Sequence, residues 1–313
     1  MLYKMPLDVS APSAIGVSGA PVDQFSFLES DDEQLNILVR SDGQGENMWG
    51  SEKSAGDVAL VRLAAGKFTD GSETASRNAY RDLPNVEGYT FQNRFVGDYM
   101  LYGTGNGWGA QKTVDGANLY AVNWKTSALT DLHLDHSVDR IEQMGDAAVV
   151  VGTNGSDLYF SPVALGRWPS VRPSYIRKKA SQGELRSHGF FYKPDGEDSG
   201  LLGLPIAREG RSGYSHLVEN SAAILFLKND NLQFDQIGEL AGRDASTNDG
   251  CRASCVDWYG NARPIFLRGR IFALLGYELV EGRLDDSRLR EVRRVNYSPR
   301  SLINRMPDDS EDE

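Results

Sequence analysis

The sequence predicts an all-β fold, and three observations support this prediction. Short runs rich in Val, Leu, Tyr and Phe alternate at close spacing with Gly, Asn, Asp and Ser turns. The 313 residues include 33 Gly and 13 Tyr, which suits many tight turns between short strands. Stretches with helical periodicity are scarce. The charged stretch Asp285 to Val295 fits either a helical turn or a short strand.

Three segments share one pattern: apolar residues, a tight turn centred on glycine, and a run of strand formers. The turns contain Gly97, Gly145 and Gly269, and glycine readily supplies the positive φ of a two-residue hairpin. Each segment continues into a third strand: Leu119–Asn123, Asp157–Ser161 and Tyr277–Glu281. Gly97 and Gly145 are 48 positions apart, close to the roughly 40–50 residues of one propeller blade. The repeat therefore favours a β-propeller over a two-sheet sandwich, which has no reason to repeat at this spacing.

Two less regular units extend the pattern to about five or more blades. One begins at Gly189 and returns along Leu201–Ile206, and the other uses Leu35–Arg40 and Val58–Leu63. The stretch Leu2–Asp8 resembles the third strand of a unit. Either this N-terminal strand completes the last blade and closes the ring, or the propeller is incomplete and sequence is missing upstream. We predict a β-propeller domain over residues 1–305 and an acidic disordered tail over residues 306–313.

The composition excludes several classes of protein. A net charge of -11 and a pI near 5.0 argue against a partner rich in phosphate and against adhesion to an anionic membrane. No apolar run approaches the ~18 residues of a membrane span, and the first residues lack the pattern of a secretory signal. Two Cys cannot support a disulfide-dense scaffold. We predict no nucleic-acid partner, no membrane span and no cofactor.

The segment Asp131 to Asp139 contains the densest group of metal-capable side chains. In a strand, Asp131 and the residues two and four positions later would share one face, and such a set would suit Zn²⁺. The alternative is an outer strand with a polar solvent face and with Leu132 and Leu134 turned inward. We expect this alternative and therefore no metal site. The residues kept as candidate ligands are His133, Asp135 and His136.

Three further features are candidate functional positions. His188 precedes a run of strand formers and is either an acid/base group near a propeller channel or a hydrogen-bonded structural histidine. Trp108 lies in a glycine-rich stretch that reads as a loop, where aromatic side chains often anchor ligands. Cys251 and Cys255 would form a small-loop disulfide in an oxidising compartment and remain free thiols in the cytosol.

Four segments carry a resemblance to a known family, in the order in which they occur. They are a Gln-Phe-Ser stretch with the strand after it, a Gly-Asp hairpin, a His-containing strand followed by a Leu-rich strand with a proline, and a closing pair of strands. The segments are Val22–Glu29 with Leu35–Val39, Phe95–Tyr99, Ser187–Tyr192 with Leu201–Ile206, and Arg263–Leu267 with Arg270–Leu274.

This order of segments resembles the bacterial secreted proteins with a C-terminal β-propeller domain, an uncharacterised family. The matches span residues 20 to 285. The resemblance implies a propeller fold and an extracytoplasmic location, either periplasmic or secreted. It also implies a longer N-terminal part and a signal peptide, neither of which is present in this chain.

Two functions remain open from the sequence. The first is a non-enzymatic binding or scaffold module, because repeated blades offer a broad rim of loops to a protein or small-molecule ligand. The second is a propeller-type hydrolase or metal-dependent enzyme whose site lies at the central channel, with residues drawn from several blades.

Overall fold

The computed structural model describes residues 1–42, 55–88, 90–105, 115–208, 223–242 and 262–297. Within these ranges the chain is all-β, as predicted, and its helical segments are single 3₁₀ turns. These turns are Gln24–Ser26, Ala65–Lys67, Arg77–Ala79 and Ser187–Gly189. The predictions for Trp108, for Cys251 and Cys255, and for the tail over residues 306–313 concern residues outside the described ranges.

The first twelve strands form three sheets. The strands are β1 (Leu2–Lys4), β2 (Ser13–Gly16), β3 (Ala20–Pro21), β4 (Phe27–Ser30), β5 (Gln34–Asp42), β6 (Ala55–Ala64), β7 (Asp70–Thr74), β8 (Tyr80–Leu83), β9 (Thr90–Val96), β10 (Tyr99–Gly105), β11 (Ala117–Asn123) and β12 (Leu129–Leu134). Sheet 1 has the order β1-β2-β7, with β2 and β7 parallel. Sheet 2 has the order β3-β5-β6-β8, with β4 also on β5. Sheet 3 is the antiparallel series β9 to β12.

The remaining strands form three more sheets. They are β13 (Arg140–Met144), β14 (Ala147–Asn154), β15 (Asp157–Ala164), β16 (Ser170–Val171), β17 (Tyr175–Arg177), β18 (Ala180–Gln182), β19 (Phe191–Pro194), β20 (Ser199–Arg208), β21 (Ala223–Asp230), β22 (Gln233–Ala241), β23 (Ala262–Leu267), β24 (Arg270–Leu275), β25 (Glu278–Asp285) and β26 (Arg288–Asn296). Sheet 4 is β13-β14-β15-β16, with β17 also on β15. Sheet 5 is β18-β20-β21-β22, with β19 also on β20, and sheet 6 is β23 to β26.

The glycine hairpins predicted from the sequence are present. Gly97, Gly145 and Gly269 have φ of 54°, 61° and 75°, in the left-handed region that costs glycine little. They join β9 to β10, β13 to β14 and β23 to β24. The ambiguous stretch from Asp285 to Val295 is mostly strand β26, paired antiparallel with β25.

Within the described residues, the N-terminal strand does not pair with sheet 6, the last sheet in the chain. Leu2–Lys4 pairs antiparallel with β2, in sheet 1, rather than adding to the four strands of sheet 6. Leu2 and Ile15, which face each other in this pairing, are both buried. Within the described residues this strand therefore belongs to sheet 1, where Leu2 packs in an apolar cluster. The choice between a ring closed by this strand and an incomplete propeller stays a prediction.

By contacts the chain divides into two compact units. Unit 1 contains Met1–Ile141, Asp146–Val151 and Ala164–Val171, and so includes sheets 1 to 3. Unit 2 contains Glu142–Gly145, Gly152–Val163 and the chain from Arg172 onward, and so includes sheets 5 and 6.

In unit 1, sheet 2 is buried on both of its faces. One face packs on sheet 1, where Ile37 and Val61 contact Ile15 in one apolar cluster. The opposite face packs on sheet 3, where Leu38 belongs to a second cluster with Met100. Because neighbouring residues of a strand point to opposite faces, both sides of β5 are apolar and its centre is continuously buried.

In unit 2, sheets 5 and 6 also pack face to face. Their shared cluster combines Ile224 and Phe226 of β21 with Ala273 of β24 and Val280 of β25. Gly203 of β20 lets the two sheets approach closely, since a Cβ there would lie 2.5 Å from Cβ of Pro264.

Candidate functional site

A cleft of about 390 Å³ lies within unit 1, where strands of sheet 3 end. We call it the strand-end cleft. Its wall comes from residues 85–88, from the end of β10, from the start of β11 and from the segment after β12. The lining residues are Asn85, Val86, Glu87, Gly88, Thr104, Gly105, Gly116, Ala117, Asn118, Tyr120 and Ser137.

Two hydrogen bonds hold the segment after β8 against sheet 3. The hydroxyl of Tyr102 donates to the carbonyl oxygen of Pro84 (2.9 Å), and that of Thr104 donates to the carbonyl oxygen of Glu87 (2.6 Å). Gly88 has φ of 152°, and a Cβ on it would lie 2.4 Å from Cβ of Thr104. The segment therefore lies too close to β10 for a side chain at this position, and the wall of the cleft is fixed in place.

Stacked aromatic rings support the floor of the cleft. The Tyr120 ring stacks on that of Tyr102, with centroids 5.2 Å apart, and Tyr102 stacks in turn on Phe91 at 5.7 Å. Tyr102 is fully buried, and burial raises the pKa of its phenol well above the ordinary value. Tyr102 is thus a neutral structural residue, while Tyr120 is half-buried and lines the cleft.

Three polar side chains of the lining donate to aspartates that do not line the cleft. Asn85 Nδ2 donates to Asp57 Oδ1 (2.8 Å). Asn118 Nδ2 donates to Asp131 Oδ2 (3.5 Å), and Ser137 Oγ donates to Asp139 Oδ2 (2.8 Å). Each of these three side chains is therefore oriented by a neighbouring carboxylate, as in sites that are formed before their ligand arrives.

The segment after β12 is fixed by a buried histidine. His136 is fully buried, and its Nδ1–H donates to the carbonyl oxygen of Ser137 (2.7 Å). Burial lowers the pKa of His136 to about 4, because the charged imidazolium would lose its hydration. The backbone N–H of Val138 donates to the carbonyl oxygen of Thr104 (3.0 Å), which attaches the segment to β10.

The predicted metal candidates lie around this segment but not in one cluster. Asp131 and His133 are exposed on β12, while Leu132 and Leu134 are buried, so the strand alternation expected for a polar outer face is present. Within the described residues, no three His, Cys, Asp or Glu side chains are grouped so as to hold a metal ion. Asp135 is exposed and His136 is buried, which places these two candidates in different environments.

His188 lies beside a buried carboxylate in unit 2. Glu184 is buried, and Arg186 donates to both of its oxygens, each at 2.9 Å. His188 Nε2 lies 3.4 Å from Glu184 Oε2. The pKa of His188 is lowered by partial burial and by the charges of Arg186 and Arg263, against the opposing effect of Glu184. His188 therefore lies against a buried acid, and the choice between an acid/base group and a structural histidine stays a prediction.

Glu184 lies where an edge strand of sheet 5 is interrupted near a 3₁₀ turn, and sheet 2 contains a similar interruption. In sheet 5, β18 and β19 pair with the two halves of β20, and the turn at Ser187–Gly189 separates them. In sheet 2, β3 and β4 pair with the two halves of β5 around the turn at Gln24–Ser26. Asp23 caps that turn and accepts from the N–H of Phe25 (2.8 Å), so both interruptions contain a carboxylate. Burial raises the pKa of Asp23.

Sequence reasoning missed the residues of the cleft. Glu87 and Asn118 belong to separate segments without a recognisable motif, and Tyr120 follows Asn118 on the same strand, where alternation alone does not mark it as a binding residue. The available signal was the group of glycines, since Gly105 and Gly116 bound the stretch that holds Trp108. Trp108 itself is outside the described residues.

Comparisons with known proteins add little to what this geometry shows. No protein-family model matches the sequence, and no curated protein matches it. Among solved structures, the chain is similar to a functionally unknown protein from Desulfotomaculum acetoxidans DSM 771. The identity is 9% and the TM-score 0.36, over 90% of this chain and 74% of that one. In the described part of this chain, no helix has the length and apolar character needed to cross a membrane.

Proposed function

We propose that the chain is a non-enzymatic β-propeller module that binds a small polar ligand in the strand-end cleft. The observation that carries this proposal is the construction of the cleft. Its wall is held by hydrogen bonds from Tyr102 and Thr104, and three of its lining side chains donate to neighbouring aspartates. Binding sites with a few convergent polar groups are commonly formed in this way before the ligand arrives.

The burial of sheet 2 supports the propeller part of the proposal. In a two-sheet sandwich each sheet has one face in the core and one in solvent. Sheet 2 instead packs on sheet 1 through Ile37 and on sheet 3 through Leu38. Successive sheets that cover one another in chain order are expected of propeller blades.

The position of the cleft supports the binding part. Strand ends and their connections carry most binding sites, because the rigid sheet behind them fixes their geometry. Here the ends of β10 and β11 meet the segment after β8. The extracytoplasmic location belongs to the same proposal, and it rests on the family resemblance described from the sequence.

The proposal is tested by titrating ¹⁵N-labelled protein with three probes of different charge. The probes are N-acetyl-arginine amide, cellobiose and N-acetyl-glutamate amide. We expect at least one of them to shift the amide signals of Gly88, Gly105 and Asn118 in a saturable manner. The Tyr120→Ala variant should lose the shifts, while Tyr3→Ala, which changes an exposed tyrosine of β1, should keep them. If none of the three probes shifts these signals, the cleft is not a binding site of this kind.

A further inference from the structure

We infer that the C-terminal segment of this chain, residues 302–313, docks on the face of sheet 6 that lies away from sheet 5. This surface belongs to unit 2 and is independent of the strand-end cleft. Three observations carry the inference: a row of arginines on this face, apolar residues at one end of the row, and a C-terminal segment whose order and length fit both.

The register of β25 and β26 defines this face. Leu284 pairs with Leu289, and Leu289 is buried in the cluster shared with sheet 5. Because side chains alternate across a strand, the residues at the intervening positions of β25 point the other way. Four pairs lie on that side, and we call them the outer ladder: Leu279 with Val295, Glu281 with Arg293, Arg283 with Arg290, and Asp285 with Arg288.

The outer ladder carries more positive charge than its own acids neutralise. Arg283 and Arg290 lie directly opposite each other, and like charges in this position destabilise a sheet. Asp285 already accepts from Arg283 (3.1 Å), and Glu281 accepts from Arg270 of β24 (2.7 Å). Within the described ranges, no side-chain hydrogen bond or ion pair holds the three exposed arginines of β26, namely Arg288, Arg290 and Arg293. This face therefore attracts a partner rich in carboxylates.

The end of the ladder nearest the C-terminal segment is apolar. Val295 is 43% exposed, and its partner Leu279 is half-buried. Val292, which the register shift leaves without a partner on β25, is 45% exposed. In the described part of the chain, β26 pairs only with β25 and is an edge strand. The strand therefore leaves both apolar and cationic surface uncovered.

The residues that follow β26 carry the complementary pattern. Apolar residues come first and five acids follow: Leu302, Ile303 and Met306, then Asp308, Asp309, Glu311, Asp312 and Glu313. In the inferred arrangement the segment runs back antiparallel to β26, so that its apolar residues meet Val295 and its acids meet the arginines. Carboxylates and guanidinium groups then form charge-assisted hydrogen bonds.

The spacing along the two segments agrees. Five positions separate Val295 from Arg290, and six separate Leu302 from Asp308. At about 3.3 Å per extended residue, these distances are roughly 17 and 20 Å. Residues 298–301 leave four positions in which the chain can reverse, within the roughly 2–5 residues usual between antiparallel strands. The segment is therefore long enough to place its acids beside the arginines.

Composition alone predicts a disordered tail over residues 306–313, because an acidic segment cannot build a core of its own. The arginines of the outer ladder are separated along the sequence, and only the strand register shows that they share one face. Docking on this face would order the tail.

Backbone ¹⁵N relaxation of the full chain tests this docking. At low salt we expect order parameters above about 0.7 for residues 302–306, whereas a free tail has values below about 0.6. Added salt should lower these order parameters, since exposed ionic contacts are screened. Values below about 0.6 at low salt would overturn the inference.

Two double variants test the role of the arginines. Arg290→Gln with Arg293→Gln removes two charges from the outer ladder and should lower the order parameters of the tail to those of a free chain. Arg81→Gln with Arg172→Gln is the matched control, because it changes two exposed arginines elsewhere in the chain. A tail that stays ordered in the first variant, or loses order equally in both, would contradict docking on the outer ladder.

Other occupants of the same face give different results. If a second copy of the chain covers the outer ladder, the amide signals of Arg290 and Arg293 shift with protein concentration while the tail stays free. If a separate acidic partner covers it, these signals shift on addition of hexaglutamate, again with a free tail. Either result would overturn the assignment of this face to the chain's own C-terminal segment.

Discussion

Ile37 and Leu38 are consecutive residues of one strand, both fully buried, and they belong to two different apolar clusters. Ile37 packs with Ile15 on one side of sheet 2, and Leu38 packs with Met100 on the other. A strand with one face in solvent would expose one of the two side chains. Their joint burial is the structural basis for proposing stacked blades rather than a sandwich.

Both residues should be equally sensitive to truncation. We expect Ile37→Ala and Leu38→Ala each to lower the free energy of unfolding by about 2–4 kcal/mol, since each leaves a cavity in a packed cluster. Leu129→Ala, at a partly exposed leucine of β12, should cost under about 1 kcal/mol. Urea denaturation of the three variants measures this. A wild-type midpoint for either core variant would contradict burial on both faces.

Because sheets 5 and 6 pack closely at Gly203, a single methyl group added there should destabilise the protein. Gly203→Ala would place a Cβ 2.5 Å from the rigid ring of Pro264, so either the backbone or the proline must move. We expect a loss of about 1–3 kcal/mol in unfolding free energy. Gly166→Ala is the control, because no described atom lies within 4 Å of its added Cβ. Equal thermal midpoints for the two variants would show that the sheets are not in such close contact.

His136 should make stability depend on pH in the acidic range. Its folded pKa of about 4 lies below the ordinary 6.5, so between these values the unfolded chain binds a proton that the folded chain does not. Unfolding free energy therefore falls as the pH falls from 6.5 to 4, by up to about 3 kcal/mol, and this contribution stays lost below pH 4.

Denaturant titrations at several pH values measure this dependence. His136→Gln removes the titrating group and should flatten the dependence between pH 6.5 and 4, whatever its cost to overall stability. An unchanged slope in His136→Gln would mean that His136 does not remain neutral in the folded chain.

Glu184 should stabilise the interruption of sheet 5. Glu184→Gln leaves Arg186 without its carboxylate partner, and we expect a loss of about 1–3 kcal/mol. The loss should be smaller than for a fully buried pair, because the arginine is partly exposed. Glu197→Gln changes an exposed acid of the following hairpin and should cost little. Chemical denaturation compares the two, and equal stability would contradict a structural role for this carboxylate.

Local patterns in the sequence were enough to predict the hairpins. The turns at Gly97, Gly145 and Gly269 combine a residue that tolerates positive φ with flanking strand formers. The alternation of polar and apolar residues around His133 could likewise be predicted from the sequence, because leucines flank this residue on both sides. Both leucines are buried. Such features depend only on neighbours along the chain.

The cleft and the interrupted strands depend on contacts between distant residues. Tyr102 meets Pro84 only after sheets 2 and 3 have packed, and Asn85 meets Asp57 only after β8 has paired with β6. The break at Ser187–Gly189 separates two strands that both pair with β20, and no turn motif in the sequence marks it. The pairing of β1 within sheet 1 could not be predicted for the same reason, because an apolar strand fits several sheets until its partner is known.

A crystal structure of the purified chain would show whether the sheets are arranged as propeller blades. We expect sheets 1, 2 and 3 to follow one another face to face around a common axis, with Ile37 and Leu38 covered on opposite sides. A two-sheet sandwich in which one face of sheet 2 is open to solvent would contradict it.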